Sequence, residues 1–208
     1  MPQPAVYIYP DNYALYGITA TSPAPVIQAG VKLDAYLNRP EGLLVDPEDP
    51  TKMLKTGTHI VDYVRMPSRG VIQLTRTPVV QIVSVSWRAK PDGQAHVIDP
   101  SACTEVDQPG QYAITGVPAY VTVTVGYTAG FLTVDELPTE IGIAVGQIQK
   151  SLEVLADLPP GIKRARAGDA ELERFGPGGG AAGQEILSVL DFDTRRSLGH
   201  LRRVVPNA

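Results

Sequence analysis

The sequence holds one cysteine, Cys103, one tryptophan, Trp87, and three histidines among its 208 residues. A single cysteine excludes an internal disulfide and any zinc site built from several thiolates, and it predicts a chain kept in a reducing cytoplasm. No run of about 18 uncharged apolar residues occurs, so no transmembrane helix is expected. Met1-Pro2-Gln3-Pro4 lacks the basic start and apolar stretch of a secretory signal. Charged residues are also few, 19%, and the net charge of −4 argues against a protein that coats nucleic acid. Residues 1–162 hold 10 Lys/Arg against 16 Asp/Glu, whereas residues 163–208 hold 8 against 6. An acidic body thus carries a mildly basic end, which suits either a solvated tail or an acidic partner.

Glycine and proline, by contrast, number 20 and 19, above their usual combined share of about 12%. No Gly-X-Y period appears, so collagen is excluded. With 43% apolar residues available for a core, the surplus predicts many short elements joined by turns and some long loops. Tyr7, Tyr9, Tyr13 and Tyr16 surround the turn-like Pro10-Asp11-Asn12, and Ala5 to Tyr9 is read as a short strand in an N-terminal arm, residues 1–22. Thr21-Ser22-Pro23 reads as a helix start, a hydroxyl before a proline in the first turn. The stripe Val26, Ile27, Gly30, Val31 and Leu37, with Leu33 beside it, carries that helix to just before Pro40. Residues 40–57 form a Pro/Asp/Gly-rich connection.

From Thr58 to Thr128 the apolar period becomes two. Expected strands are Thr58 to Arg65, Val71 to Thr75, Val79 to Trp87, Ala95 to Ile98, Gln111 to Thr115 and Tyr120 to Tyr127. Pro91-Asp92-Gly93 marks a turn, proline presetting one dihedral and glycine accepting a positive φ. Leu137-Pro138-Thr139-Glu140 opens a central helix, whose Ile141, Ala144, Val145, Ile148, Leu152 and Leu155 recur at three- and four-residue steps. Leu158-Pro159-Pro160-Gly161 stops it. Residues 161–183 read as a hairpin or flexible loop followed by a glycine spacer, and 184–208 as a last helical stretch, Gln184 to Leu190, with an Arg-rich end. The expected fold class is α+β: a small helical bundle of opening, central and C-terminal helices with an antiparallel β-rich insertion at 58–130.

Groups that do chemistry are sparse. His59 with Asp62, and His96 with Asp99 and Cys103, are the clusters that join a base to an acid or thiol. They lie on or beside strands without an elbow or glycine framing, and their spacing matches no common zinc site. Gly176 to Gly180 is a spacer, since no Gly-Lys-Ser/Thr follows and no strand precedes it. Asp46, Glu48 and Asp49 sit among prolines without a calcium-loop pattern. The N-terminal tyrosines have no interleaved basic residue, which disfavours nucleic-acid stacking there. Arg195, Arg196, Arg202 and Arg203 form two pairs seven residues apart, one face if the segment is a helix, either solvated or a docking surface for carboxylates.

The order of these signals resembles the head–tail connector (adaptor, or head-completion) proteins of tailed bacteriophages. The resemblance rests on Pro78 to Val85 as the "PV…V.SV" strand, Val121 to Gly130 as the "V.V.YTAG" strand and Leu137 to Ala144 as the "LP..I..A" helix. "AGDAELERF", ending at Phe175, is similar to the segment before the last helix, and "ILSVLDFDTRR" to the closing aromatic and Arg-pair signature. It covers roughly residues 20–200; the glycine-rich stretch to Gly183 and the continuation to Ala208 depart from the pattern.

The resemblance implies a structural protein of the virion neck without catalysis or cofactor. It would dock on the portal ring, commonly as twelve copies of itself, meet a tail-side stopper protein, and let genomic DNA pass without sequence-specific binding. An acidic wall suits such a channel, because Lys/Arg–phosphate contacts would hold the duplex. By position, Phe192, Arg195, Arg196, Leu198, Leu201, Arg202 and Arg203 are the implied portal-docking residues. Lys163, Arg164, Arg166, Asp169 and Phe175 are the implied inter-subunit or lumen loop. The alternative from the residues is a small β-rich partner- or carbohydrate-binding module without catalysis; an enzyme built on Cys103 is the third reading.

Overall fold

Residues 6–156, 164–167, 170–173 and 189–202 are described by the computed structural model. The protein is α+β, with its helices and its antiparallel sheets in separate stretches of chain. Contacts divide it into two units, one comprising Glu41–Thr133 and the other Pro4–Pro40 with Val134–Arg202.

The first unit holds strands β1 (Ile60–Arg65), β2 (Val71–Gln73), β3 (Val79–Arg88), β4 (His96–Ile98), β5 (Cys103–Glu105), β6 (Gln111–Ile114) and β7 (Thr122–Ala129). They form a four-stranded sheet, β1-β7-β3-β4, and a three-stranded sheet, β2-β6-β5, both antiparallel. The inward positions alternate as the period-two pattern requires: Val123, Val125 and Tyr127 of β7 are buried, and Thr122 is exposed. Ile72, Tyr112 and Ile114 of the smaller sheet join Val85, Val123, Val125 and Tyr127 of the larger one in a single core. Two positions of irregular register bend β3, between Val79 and Gln81 and between Ile82 and Ser84. The chain enters and leaves this unit side by side. Leu44 bridges Phe131, whose N–H donates to the Leu43 carbonyl at 2.8 Å, and the Val45 N–H donates to the Phe131 carbonyl at 2.9 Å.

All six expected strands match within two residues, two of the offsets have a local cause, and one further strand forms. β2 ends at Gln73 because Leu74 turns its N–H to the Gly110 carbonyl and Thr75 turns toward Asp62. β7 begins at Thr122 rather than Tyr120, which adopts a positive φ of 65° and cannot extend the ladder. β5 was not expected at all.

The second unit holds α1 (Pro23–Tyr36) and α2 (Thr139–Ala156), which pack together, and a short α3 (Phe192–Ser197) that contacts α2. Ser22 precedes α1 in extended conformation and Pro23 opens it, as the sequence predicts, though Ser22 makes no side-chain cap. The buried stripe of α1 is Val26, Ala29, Gly30 and Leu33, with Leu37 beyond its end. Val31, expected on the stripe, is exposed, because it lies one position round from Gly30. In α2, Ile141, Ala144, Val145 and Ile148 are buried as expected.

No strand forms at residues 6–9. Tyr7 instead turns inward, its hydroxyl donating to the buried carboxylate of Asp34 at 2.5 Å, and Pro10–Tyr16 winds into a 3-10 helix that packs on α2. The approach is close because α2 carries two glycines where the turn meets it. A Cβ on Gly142 would overlap the Tyr16 ring, and one on Gly146 would overlap the Tyr16 carbonyl oxygen.

Residues 184–188 of the expected last helix lie outside the described residues, and Val189-Leu190 is a turn and bend. Among the described residues a short helix follows at Phe192–Ser197, capped by Asp191, whose carboxylate accepts from the Thr194 N–H at 2.7 Å. A separate hairpin, β8 (Arg164–Ala167) with β9 (Ala170–Glu173), places Arg164 opposite Glu173 and Arg166 opposite Glu171. No helix among the described residues is long and apolar enough to cross a membrane.

Candidate functional site

The C-terminal segment is built around Asp191. Its carboxylate caps α3 and also meets the Gln147 side chain of α2, so the start of α3 is tied to the central helix. Hydrogen bonds from the Thr194 N–H, then from Gln147, hold the Asp191 carboxyl below its ordinary value. From this anchor α3 presents Phe192, 68% exposed, at its first turn, with Arg196 exposed and Arg195 half-buried in its last. A 3-10 turn, Leu198–Leu201, follows, and Arg202 leaves it in extended conformation.

The two Arg pairs therefore do not share one helical face, since the helix stops at Ser197. Arg202 places its guanidinium 5.0 Å from the Tyr36 ring centroid, a cation–π contact to the end of α1. Leu198 and Leu201, two of the implied docking residues, are instead buried in packing and are not presented to solvent. Arg203 lies outside the described residues, as do Lys163, Asp169 and Phe175; Arg164 and Arg166 are placed by backbone only, on β8.

The two enzyme-like clusters are not brought together. His96 stacks on Trp87, ring centroids 4.2 Å apart, while Asp99 spends its carboxylate on the Ser101 N–H at 2.9 Å. Cys103 pairs with Ile114 in β5, and burial pushes its thiol up, away from a nucleophilic thiolate. Asp62 turns inward, away from a partnership with His59. Asp46 and Asp49 fold their carboxylates back onto the Glu48 and Thr51 N–H groups. The hydrogen bond from Lys52, and then that from Thr51, holds Asp49 at about 2. Among the described residues no group of three His, Cys, Asp or Glu is placed to hold a metal ion.

What the sequence reading missed is a buried polar chain through the β unit. Asp62 accepts from the Thr75 N–H at 2.7 Å, the Thr75 hydroxyl at 2.8 Å and the Tyr127 hydroxyl at 2.7 Å. The Tyr127 hydroxyl accepts from the Arg76 N–H at 3.1 Å. Arg76 donates to Thr75 Oγ1 at 2.8 Å and pairs through Nε with Glu41 Oε1 at 2.8 Å. All five residues are buried. A signal was present: Asp62 sits between Ile60 and Val64 at the parity of the inward positions of β1, where an acid needs buried partners.

These groups set an alkaline limit on the fold. Burial pushes Tyr112 up to about 12, with the charge of Glu105 adding to it, and burial raises Tyr127 as well. A phenol whose folded pKa exceeds its unfolded value of about 10 contributes stability that is complete below pH 10 and disappears as pH rises through the folded value. Denaturant midpoints are therefore expected to hold to about pH 10 and to fall between about pH 10 and 12. Tyr112→Phe should make that fall shallower; an unchanged slope would remove Tyr112 as its source.

No known protein family and no curated protein matches the chain. The functional reading therefore rests on the residues and their geometry.

Proposed function

We propose that this chain is a structural head–tail connector of a tailed bacteriophage, a virion neck protein that docks on the portal ring and extends the DNA channel toward the tail. The observation that carries the reading is the order of the two units. The β unit, Glu41–Thr133, is inserted between α1 and α2, two helices that pack on each other with α3 against the second. This order supports the arrangement the resemblance implies, in which α1, α2 and α3 would be the opening, central and C-terminal helices of a small bundle. The role assigned is assembly, with the portal, a tail-side stopper protein and further copies of this chain as partners, and no catalytic step.

The docking surface in this reading is Phe192 with Arg195, Arg196 and Arg202; Arg203, the further candidate by position, lies outside the described residues. An exposed aromatic beside guanidinium groups is the composition of an interface hot spot. Multivalency around a ring offsets weak single contacts. The test is co-assembly of the purified portal with this chain, read by negative-stain imaging, together with mass spectrometry of virions. Absence of the chain from virions and failure to co-assemble would overturn the connector reading. The double change Arg195→Glu, Arg196→Glu should weaken portal association by about 10-fold or more while leaving the unfolding midpoint nearly unchanged. Equal binding by the double variant would remove these arginines from the interface.

A further inference from the structure

The outward face of the four-stranded sheet has a composition unlike the rest of this acidic protein. Register aligns two rows across β1, β7 and β3. Tyr63, Thr124 and Ser86 form one, and Arg65, Thr122 and Arg88 form the next. Hydroxyls run down the middle, with Tyr63 and Arg65 on one side and Arg88 on the other. Tyr120, just before β7, and Lys90-Pro91, just after β3, raise the rim of an open cleft of about 400 Å³ lined by Tyr63, Ser86, Arg88, Thr122 and Thr124, with Arg65 outside it beside Tyr120.

Three features mark this cleft as more than a solvated face. Its two tyrosines are 75% and 66% exposed, large aromatic surfaces withheld from a core that had room for other tyrosines. Tyr120 also adopts a left-handed φ of 65°, costly for a bulky side chain, with its N–H held by the Met66 carbonyl at 2.8 Å. Most of the residue stays exposed, so burial of the ring returns little for that strain. Finally, Arg65, Arg88 and Lys90 are exposed and meet little opposing charge. In the segments 60–66, 84–91 and 117–125 the only acid is Asp62, which faces the core, and Asp92 lies at the turn beyond. The Arg65 guanidinium stands 6.0 Å from the Tyr120 ring centroid, keeping cation and ring side by side.

We infer that this sheet face binds single-stranded nucleic acid, the tyrosines stacking on unpaired bases and Arg65, Arg88 and Lys90 meeting the phosphates. A neutral sugar would use the rings but leave three cations without partners. An acidic peptide would use the cations but has no flat faces for two exposed tyrosines. A duplex offers phosphates while its base faces stay stacked inside. Single-stranded nucleic acid supplies both at once, and an aromatic platform beside a basic groove is the usual way proteins hold it without sequence preference. The binding does not rest on the connector reading, because it needs only the β unit's own residues.

The experiment is fluorescence anisotropy of the full-length chain with a labelled oligodeoxythymidine of about 12 nucleotides, at several salt concentrations. Unlabelled duplex DNA and a polyglutamate peptide serve as competitors. Binding is expected to weaken with salt at a logarithmic slope near −2, about −0.7 for each of three phosphate contacts. Tyr63→Ala with Tyr120→Ala should weaken it roughly 10-fold or more at an unchanged slope, and Tyr63→Phe with Tyr120→Phe should restore it. Arg88→Gln with Lys90→Gln should instead flatten the slope to about −0.7. Every changed side chain is exposed, so thermal unfolding should match the wild type and supplies the folding control. No binding at low salt overturns the inference. So does indifference to loss of the tyrosine rings, or competition by duplex or polyglutamate equal to that of the unlabelled strand.

Discussion

Asp62→Ala is expected to destabilise the β unit by about 4 kcal/mol. The carboxylate accepts three hydrogen bonds, two from Thr75 and one from Tyr127, and all three donors are buried. Deleting it strands those donors, each costing about 1–3 kcal/mol, though not additively. The Arg76–Glu41 pair remains balanced, so the loss does not come from an unpaired charge. Tyr127→Phe removes one donor and leaves Asp62 the other two, and should cost about 1–2 kcal/mol. The two changes share a hydrogen bond, so the double variant should cost less than their sum. Urea unfolding of the four proteins reads all of this. A cost below about 1 kcal/mol for Asp62→Ala would mean that water replaces the carboxylate, and the network would then carry little of the stability.

The second large effect concerns α2. Gly146→Val should destabilise the helical unit by about 3 kcal/mol or more, whereas Gly142→Ala should stay within about 1 kcal/mol of wild type. Both glycines face the 3-10 turn Pro10–Tyr16, yet what each would meet differs. At Gly142 the obstacle is the Tyr16 ring, half-buried and free to swing on its own bonds. Replacing a helical glycine with alanine also gains about 1 kcal/mol of propensity, which offsets that shift. At Gly146 the obstacle is the carbonyl oxygen of Tyr16, so the backbone of the whole turn must retreat. Gly146→Ala should fall between these, near 2 kcal/mol. Thermal unfolding of the three variants settles the order, and equal costs at both positions would refute the distinction.

Elements that announce themselves locally were legible in the sequence. Pro23 and Pro138 marked the starts of α1 and α2, and strict alternation from Val121 to Val125 marked β7. Three-residue β5 was not legible, because Cys103 to Glu105 is too short to show a period and its pairing with β6 is decided by distant residues. The four N-terminal tyrosines suggested an extended arm, but Tyr7 has a buried acceptor in Asp34, which no local pattern reveals. Leu198 and Leu201 were read by position beside the arginines, and their burial follows from the chain turning back after α3. The Arg pairs looked like one helical face because spacing says nothing about where a helix stops. Tyr63 and Tyr120 lie far apart in sequence, and only the register of β1 on β7 makes them neighbours. Asp191 before Phe192 was a readable cap for the short helix that follows it, and went unread beside the apolar run that precedes it.

The bridge between Leu44 and Phe131 has a consequence for how the chain tolerates change. Because the β unit fastens its own two ends together at Leu43–Val45 and Phe131, the separation of those ends is set by these hydrogen bonds and not by the length of chain between them. To the helices it behaves as a brief connector, so closing them around it carries the entropy of a short loop rather than of the long stretch it contains. Insertions at the outer turns of the β unit, or its exchange for another module with adjoining ends, leave the geometric demand on α1 and α2 untouched. The turns of the β unit can thus vary while the spacing of its two ends stays fixed.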